Sequence, residues 1–464
     1  MDLRKRPLVA GAAALFLAGV ANRIIGTIYR VLLVRTAGEE VVGLVQMSLP
    51  IYRVASTLAT AGLFVAIARL AADARGARDA ARARAYGRTG LTLTLCTAVL
   101  AAAFLFLTRR LFANHFLTDP RTVVTLALFP LLLVPAALSQ SLRGVLQGEE
   151  RLTPVALSSF IEATSRVPIV LLLVAWLLPY GPQWAAGGVV VGLTAGEVLS
   201  LLYLAGCVRR SWAGAAPAPR RSRGGGRRRR RGRWLLHAEP PLVKALAAVA
   251  LPVLFTGLVN GILGMFNVAL IPRQLMSAGL EAAEATVQYG RLFGMALPIL
   301  YMPMVAVHPL AHAAVPAVAR RLAEGRRASV RRLLVQCFSV AAAVGALTAF
   351  ALWNFGEELG LLLYGVGGLG TLIAPLALAA PFTYIGHVAS GILYGLGRTG
   401  ITMASSVAGN VVRLGLVILL VSDPRWGIVG ALLAVVADYV LTALLDIAAV
   451  AVLMRRALGR PTSS

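Results

Sequence analysis

The chain has 464 residues, of which 58% are hydrophobic and 14% charged, with a formal net charge of +26. Soluble domains carry about 25% charged residues, so this balance excludes an ordinary soluble enzyme and indicates a polytopic membrane protein. The basic excess would suggest nucleic acid in a soluble chain, but here the arginines cluster between apolar blocks, where they act as topology signals.

A membrane span needs about 20 mostly apolar residues. The first run, 8–34, follows the basic head Arg4, Lys5 and Arg6 and imitates a secretory signal. It continues past Arg23 to Val34, too long for a cleaved leader, and reads as an uncleaved first helix. Further runs in the first half are 41–68, 87–108, 122–147, 152–178 and 185–208. After a polar break come 242–272, 286–316, 330–353, 371–395, 400–421 and 427–454, with "GEELGLLLYGVGG" predicted as a short interfacial helix. The expectation is an all-α protein of about twelve transmembrane helices. An N-terminal lobe (1–210), a polybasic linker (211–241) and a C-terminal lobe (242–464) divide it.

The loops orient the chain. The basic head, the run from Arg69 to Arg88, the linker and the run from Arg320 to Arg332 fall on one side; Arg109, Arg110, Arg121 and Arg425 fall on the other. By the positive-inside rule both termini are cytoplasmic, in the cytoplasmic membrane. The low-complexity stretch "RRSRGGGRRRRRGR" (220–233) reads as a topology anchor leaning on anionic lipid headgroups, in preference to a nucleic-acid site.

The halves repeat. Residues 143–174 align without gaps on 390–421, pairing Gly148 with Gly395, Arg151 with Arg398 and Arg166 with Arg413. "GVANRIIG" (19–26) lies on "GLVNGILG" (257–264), and "MSLPI" (47–51) on "MALPI" (295–299). Six spans per half insert the same way up, so the two six-helix repeats are parallel, an arrangement that suits rocking of two lobes around a central site.

Charges inside the spans mark that site. An arginine at the centre of a membrane helix costs about 2.5–3.5 kcal/mol, yet Arg23 and Arg30 share one face of the first span, Arg53 lies in the second and Arg291 begins the eighth. Such a cationic, partly wet cavity favours an anionic substrate, and arginine forks suit phosphate or pyrophosphate oxygens. Glu162 and Arg166, one turn apart, read as an internal ion pair. Asp438 and Asp446 are candidates to bind a coupling ion or proton, with Asn267 and Asn410 as neutral oxygen donors. Glu197 is a further lone carboxylate in span six. The histidines of "HPLAH" (308–312) and the separated Cys96, Cys207 and Cys337 read as structural, with no metal expected. No phosphate loop, nucleotide-binding turn or serine elbow stands out, so neither an enzyme activity nor a cofactor is expected.

The stretch from "NRIIGTIYRVLLVRTAGEEVVGLVQMSLPIYRVASTLATAGLFVAIARLAAD", with "YGRLFGMALPILYMPM" and "ASGILYGLGRTG", resembles the sporulation-type polysaccharide biosynthesis (oligosaccharide flippase) family. That family belongs to the multidrug/oligosaccharidyl-lipid/polysaccharide (MOP) exporter superfamily. The resemblance implies the MATE-like flippase fold and a lipid-linked glycan substrate, with cell-wall synthesis proteins as partners. Related lipid II flippases carry cationic side chains on helices one, two and eight, and the matching positions here are Arg23, Arg30, Arg53 and Arg291, with Arg30 one residue off the pattern. Family members commonly have a proline where Phe64 stands and an aspartate where Asn267 stands, and many have fourteen spans. The rival readings are a cation-coupled multidrug exporter, a membrane glycosyltransferase and a scaffold. Spans one and two lack the carboxylates that a drug exporter uses, and the chain lacks the large outer loop of a transferase.

Overall fold

A computed structural model of the chain describes residues 7–214, 240–305 and 327–459, with scattered positions from 307 to 324. Every regular element among the described residues is helical. The first unit draws on α1 (Pro7–Thr60), α2 (Leu63–Gly76), α3 (Ala80–Leu111), α4 (Val123–Gly148), α5 (Leu152–Leu177), α6 (Pro182–Gly214) and the start of α7 (Pro240–Ser277). The second holds the rest of α7, then α8 (Ala282–Gly290), α9 (Leu297–Tyr301), α10 (Arg327–Tyr364), α11 (Gly370–Ile373), α12 (Ala380–Gly395), α13 (Thr399–Leu420) and α14 (Gly427–Gly459).

Helix α1 is 54 residues long. Straight, it would reach about 80 Å at 1.5 Å per residue, well beyond the ~30 Å hydrocarbon core. Gly38 breaks it with φ 80 and ψ 175, a left-handed conformation that glycine adopts without strain. A second break at Ala61 and Gly62, both at positive φ, divides the predicted span 41–68 into the end of α1 and α2. Among the described residues nine helices are long and apolar enough to span, or ten with the pair Gly370–Leu378 and Ala380–Gly395, bent by 53°. The expected twelve differ because Leu15–Gly76 contains two predicted spans, and because 286–316 falls partly on the short α8 and α9 and partly outside the described residues. The predicted interfacial helix is the end of α10, set off by a kink at Phe355. There Glu357 accepts hydrogen bonds from the backbone N–H of Gly368 (2.6 Å) and Gly370 (2.7 Å).

The chain separates into two compact units. Unit 1 comprises Met1–Tyr29, Ser48–His115 and Pro120–Ile262; unit 2 comprises Arg30–Met47, Phe116–Asp119 and Leu263–Ser464. The stretch around the Gly38 turn thus packs with unit 2, where Gly290 meets the Gly43 backbone with no room for a Cβ between them. The polybasic stretch 220–233 lies outside the described residues. The repeat is visible locally: Arg151 and Arg398, paired in the sequence alignment, occupy the position just before the N-termini of α5 and α13.

Unit 1 owes the seating of its polar residues to small side chains. Gly188, Gly192 and Gly196 recur every fourth residue on α6, and each lies against α5. A Cβ on Gly192 would fall 2.8 Å from Val170 Cα, and one on Gly196 2.9 Å from Arg166 Cβ. Without a hydrophobic force between helices in lipid, such close approach is what holds them together. Gly192→Leu is therefore expected to destabilise by roughly 1–3 kcal/mol through overpacking, while Gly206→Leu, at a position with nothing within 4 Å, is neutral. Thermal melting of the two purified variants in detergent checks this.

Candidate functional site

The sequence-predicted arginines divide between the units. Arg23 (half-buried) and Arg53 (exposed) belong to unit 1, Arg30 and Arg291 (both half-buried) to unit 2. Arg291 is committed: its guanidinium grips both carboxylate oxygens of Glu39, Nε to Oε2 and Nη2 to Oε1 at 3.2 Å. Nearby, Thr286 donates to Asp119 Oδ2 at 3.0 Å, and Arg35 donates to the carbonyls of Leu362 and Leu363 at the end of α10. These contacts, together with the Gly43–Gly290 approach, fasten the Gly38 turn within unit 2.

In unit 1, α4, α5 and α6 bring together a cluster that the spacing of Glu162 and Arg166 revealed only in part. The buried Arg143 donates to Glu162 Oε2 at 2.8 Å and to the hydroxyls of Ser158 (3.2 Å) and Ser200 (3.1 Å). Arg166 reaches Glu162 Oε1 at only 3.7 Å. The ion pair read from the sequence is present, but the shorter contact to Glu162 comes from an arginine on another helix. Spacing along one helix cannot report a partner on its neighbour.

In unit 2 the position matching Arg166 is Arg413, and its surroundings differ. Arg413 Nε donates to Asn267 Oδ1 at 2.8 Å, Nη2 to Asn410 Oδ1 at 2.9 Å, and Nη1 lies 3.2 Å from Asp438 Oδ2. Where the first repeat has Glu162, the second has Gly409, and a Cβ there would collide with Asp438 Oδ1. Glycine on α13 thus lets a carboxylate from α14 take the place that Glu162 fills from within its own helix. The Asn267, Asn410 and Asp438 oxygens named from the sequence do converge, around a resident guanidinium. Asp446, two turns further on α14, is fully buried; Ser390 donates to its Oδ2, and its Oδ1 has no hydrogen-bond partner among the described residues. Asn410, Arg413, Asp438 and Asp446 line one cavity of about 370 Å³ within the unit, together with His387 and Tyr439. His308 Nδ1 lies 2.6 Å from His387 Nε2, so this histidine of the "HPLAH" pair finds a partner on α12; His312 lies outside the described residues.

Residues 8–320 match the polysaccharide biosynthesis protein family. The chain is 30% identical over 451 residues to stage V sporulation protein B of Bacillus subtilis (strain 168), covering 97% of this chain and 84% of that protein. It is 25% identical over 445 residues to the membrane protein YabM of the same organism, covering 94% of this chain and 79% of that protein. Its fold matches the inward-facing structure of a multidrug resistance MATE family transporter of the MOP superfamily, with a TM-score of 0.73 at 15% identity over 95% of this chain and 96% of that one.

Arg413→Ala leaves the Asp438 carboxylate, 5% exposed, with the Thr442 hydroxyl at 3.2 Å as its remaining described partner. Removing one member of a buried pair costs about 3–5 kcal/mol, and the added change Asp438→Asn is expected to recover part of the loss. Melting temperatures of the single and double variants give the coupling.

Proposed function

The chain belongs to the polysaccharide biosynthesis protein family, and from that premise we propose that it is a flippase for a lipid-linked, pyrophosphate-bearing oligosaccharide. The cargo is a cell-wall or spore-cortex precursor of the lipid II kind, moved across the cytoplasmic membrane by alternating access. One observation carries the reading: Arg23 and Arg53 sit in the unit 1 portions of α1, which contain no carboxylate, while Glu39, further along the helix, is taken by Arg291 in unit 2. Arginines carried on helix portions whose own sequence is apolar and free of Asp and Glu suit an anionic cargo.

In this mechanism the arginine forks grip the diphosphate, each able to offer two parallel N–H donors to phosphate oxygens. The lipid tail stays in the bilayer while the arginines carry the charge of the headgroup across. Arg30 and Arg291 join the cationic set, with Arg291 exchanging its Glu39 partner as the protein cycles. Two lobes, 1–210 and 242–464, alternate access between the two sides; the polybasic composition of 211–241 suits anionic lipid headgroups, and the positive-inside pattern puts both termini on the cytoplasmic side. No nucleic acid takes part. An ion gradient, the membrane potential or product removal supplies the energy, and Asp446, buried with one oxygen unpartnered among the described residues in the cavity of unit 2, is the candidate to take up a coupling ion or proton. Cell-wall synthesis proteins that make and use the precursor are its partners.

Each arginine–phosphate contact is worth about 1.5–3 kcal/mol as a charge-assisted hydrogen bond. Arg23→Ala and Arg53→Ala should each lower transport at least about tenfold with unchanged membrane abundance. The check is complementation of a cell depleted of its own lipid II flippase. Rescue by the wild type and failure of both variants supports the reading; full rescue by both variants removes the cavity role of the arginines.

A further inference from the structure

The same helix position carries an arginine in both repeats, Arg166 on α5 and Arg413 on α13, and the two are used differently. Arg413 is consumed: Nε, Nη1 and Nη2 all face acceptors, at 2.8, 3.2 and 2.9 Å. Arg166 is not. Its nearest carboxylate, Glu162, is held at 2.8 Å by Arg143 and stands 3.7 Å from Arg166. Its Nε is buried with no acceptor among the described residues. A buried guanidinium N–H without an acceptor is rare and costly, and such a group marks a site that a ligand completes.

The ground facing Arg166 is formed by the segment "NRIIGTIYR" of α1. Tyr29 presents its ring to the guanidinium, 5.5 Å from centroid to Cζ. At Gly26 the one atom within 4 Å of where a Cβ would stand is Arg166 Nη2, at 3.8 Å. Space is therefore open on α1 opposite the guanidinium. One turn earlier on the same face is Asn22, whose Oδ1 is also buried without a donor among the described residues. An orphaned cationic donor on α5 and an orphaned acceptor on α1 call for a ligand bearing both an oxyanion and hydroxyl groups.

We propose that Arg166, opposite Asn22 and Gly26, is an oxyanion-binding residue of unit 1 that receives a phosphate oxygen of a glycosyl-diphosphate ligand. This rests on the reading of the protein as a flippase for pyrophosphate-bearing lipids and adds a fifth arginine, from α5, to its cationic set. The site is a property of the first repeat alone, because Asn267, Asn410 and Asp438 already satisfy its counterpart in the second.

The test uses the full chain in phosphatidylcholine nanodiscs, with farnesyl diphosphate and inorganic pyrophosphate as probes and phosphatidylglycerol as competitor. Arg166→Gln leaves Glu162 paired with Arg143, so the variant is expected to keep its melting temperature. Farnesyl diphosphate should bind the wild type at least about tenfold more tightly than Arg166→Gln, with affinity largely restored in Arg166→Lys. Gly26→Leu, which keeps the charge and fills the space, should weaken binding to a similar degree. Equal affinity of wild type and Arg166→Gln for farnesyl diphosphate would overturn the assignment while leaving the flippase reading intact. Arg166-dependent binding of pyrophosphate with no binding of farnesyl diphosphate would keep the oxyanion site and overturn the lipid-linked reading. Displacement by phosphatidylglycerol would keep the site and name a lipid headgroup as its occupant. Binding of no probe by the wild type would overturn the proposal.

Discussion

A guanidinium in a low-dielectric interior cannot shed its charge, so it must find acceptors or be left at a penalty of several kcal/mol. Much of the polar architecture here answers that demand. Arg291 closes on Glu39, Arg143 on Glu162 with two serine hydroxyls, and Arg413 on two amides and a carboxylate. Asn410 aside, which lies on the same helix as Arg413, the acceptors come from a different helix or a distant segment, so satisfying the charge also fixes which helices lie together.

Glycine makes those pairings reachable. Gly196 lets α6 approach α5 beside Glu162 and Arg166, Gly409 lets Asp438 of α14 reach the guanidinium of α13, and Gly43 lets the Gly38 turn settle against Gly290. Helices in lipid associate through close packing and polar contacts because their apolar faces gain nothing from one another over the lipid tails. Small residues and buried charges therefore work together: one sets the distance and the other makes that distance favourable.

The two repeats show how a shared frame diverges. Arg151 and Arg398 still stand at the N-terminal boundaries of equivalent helices, and Arg166 and Arg413 still occupy equivalent positions. The change from Glu162 to Gly409 moved the source of the carboxylate from the arginine's own helix to its neighbour, and Asn267 and Asn410 completed the shell. The result is one saturated arginine and one with a donor unmet among the described residues. The charges divide in the same way, with Arg23 and Arg53 in the first unit and a polar cavity lined by Arg413, Asp438 and Asp446 in the second.

The amino-acid sequence by itself determined the membrane class, most of the spans, the repeat and the segment that carries the family resemblance. Apolar length and the spacing of identical residues are one-dimensional properties and can be read along a line. It also marked Arg23, Arg53, Asn267, Asn410, Asp438 and Asp446 as residues that an apolar segment does not hold without reason. Only the tertiary structure decided how those residues are partnered. That Arg291 belongs to Glu39, that Arg143 takes Glu162 from Arg166, and that Arg413 fills the oxygen cluster around Asn267 all depend on contacts between segments far apart in the chain. Coulombic and hydrogen-bonding energies fall off within a few ångströms, so they follow distance in space, and sequence separation carries no record of it.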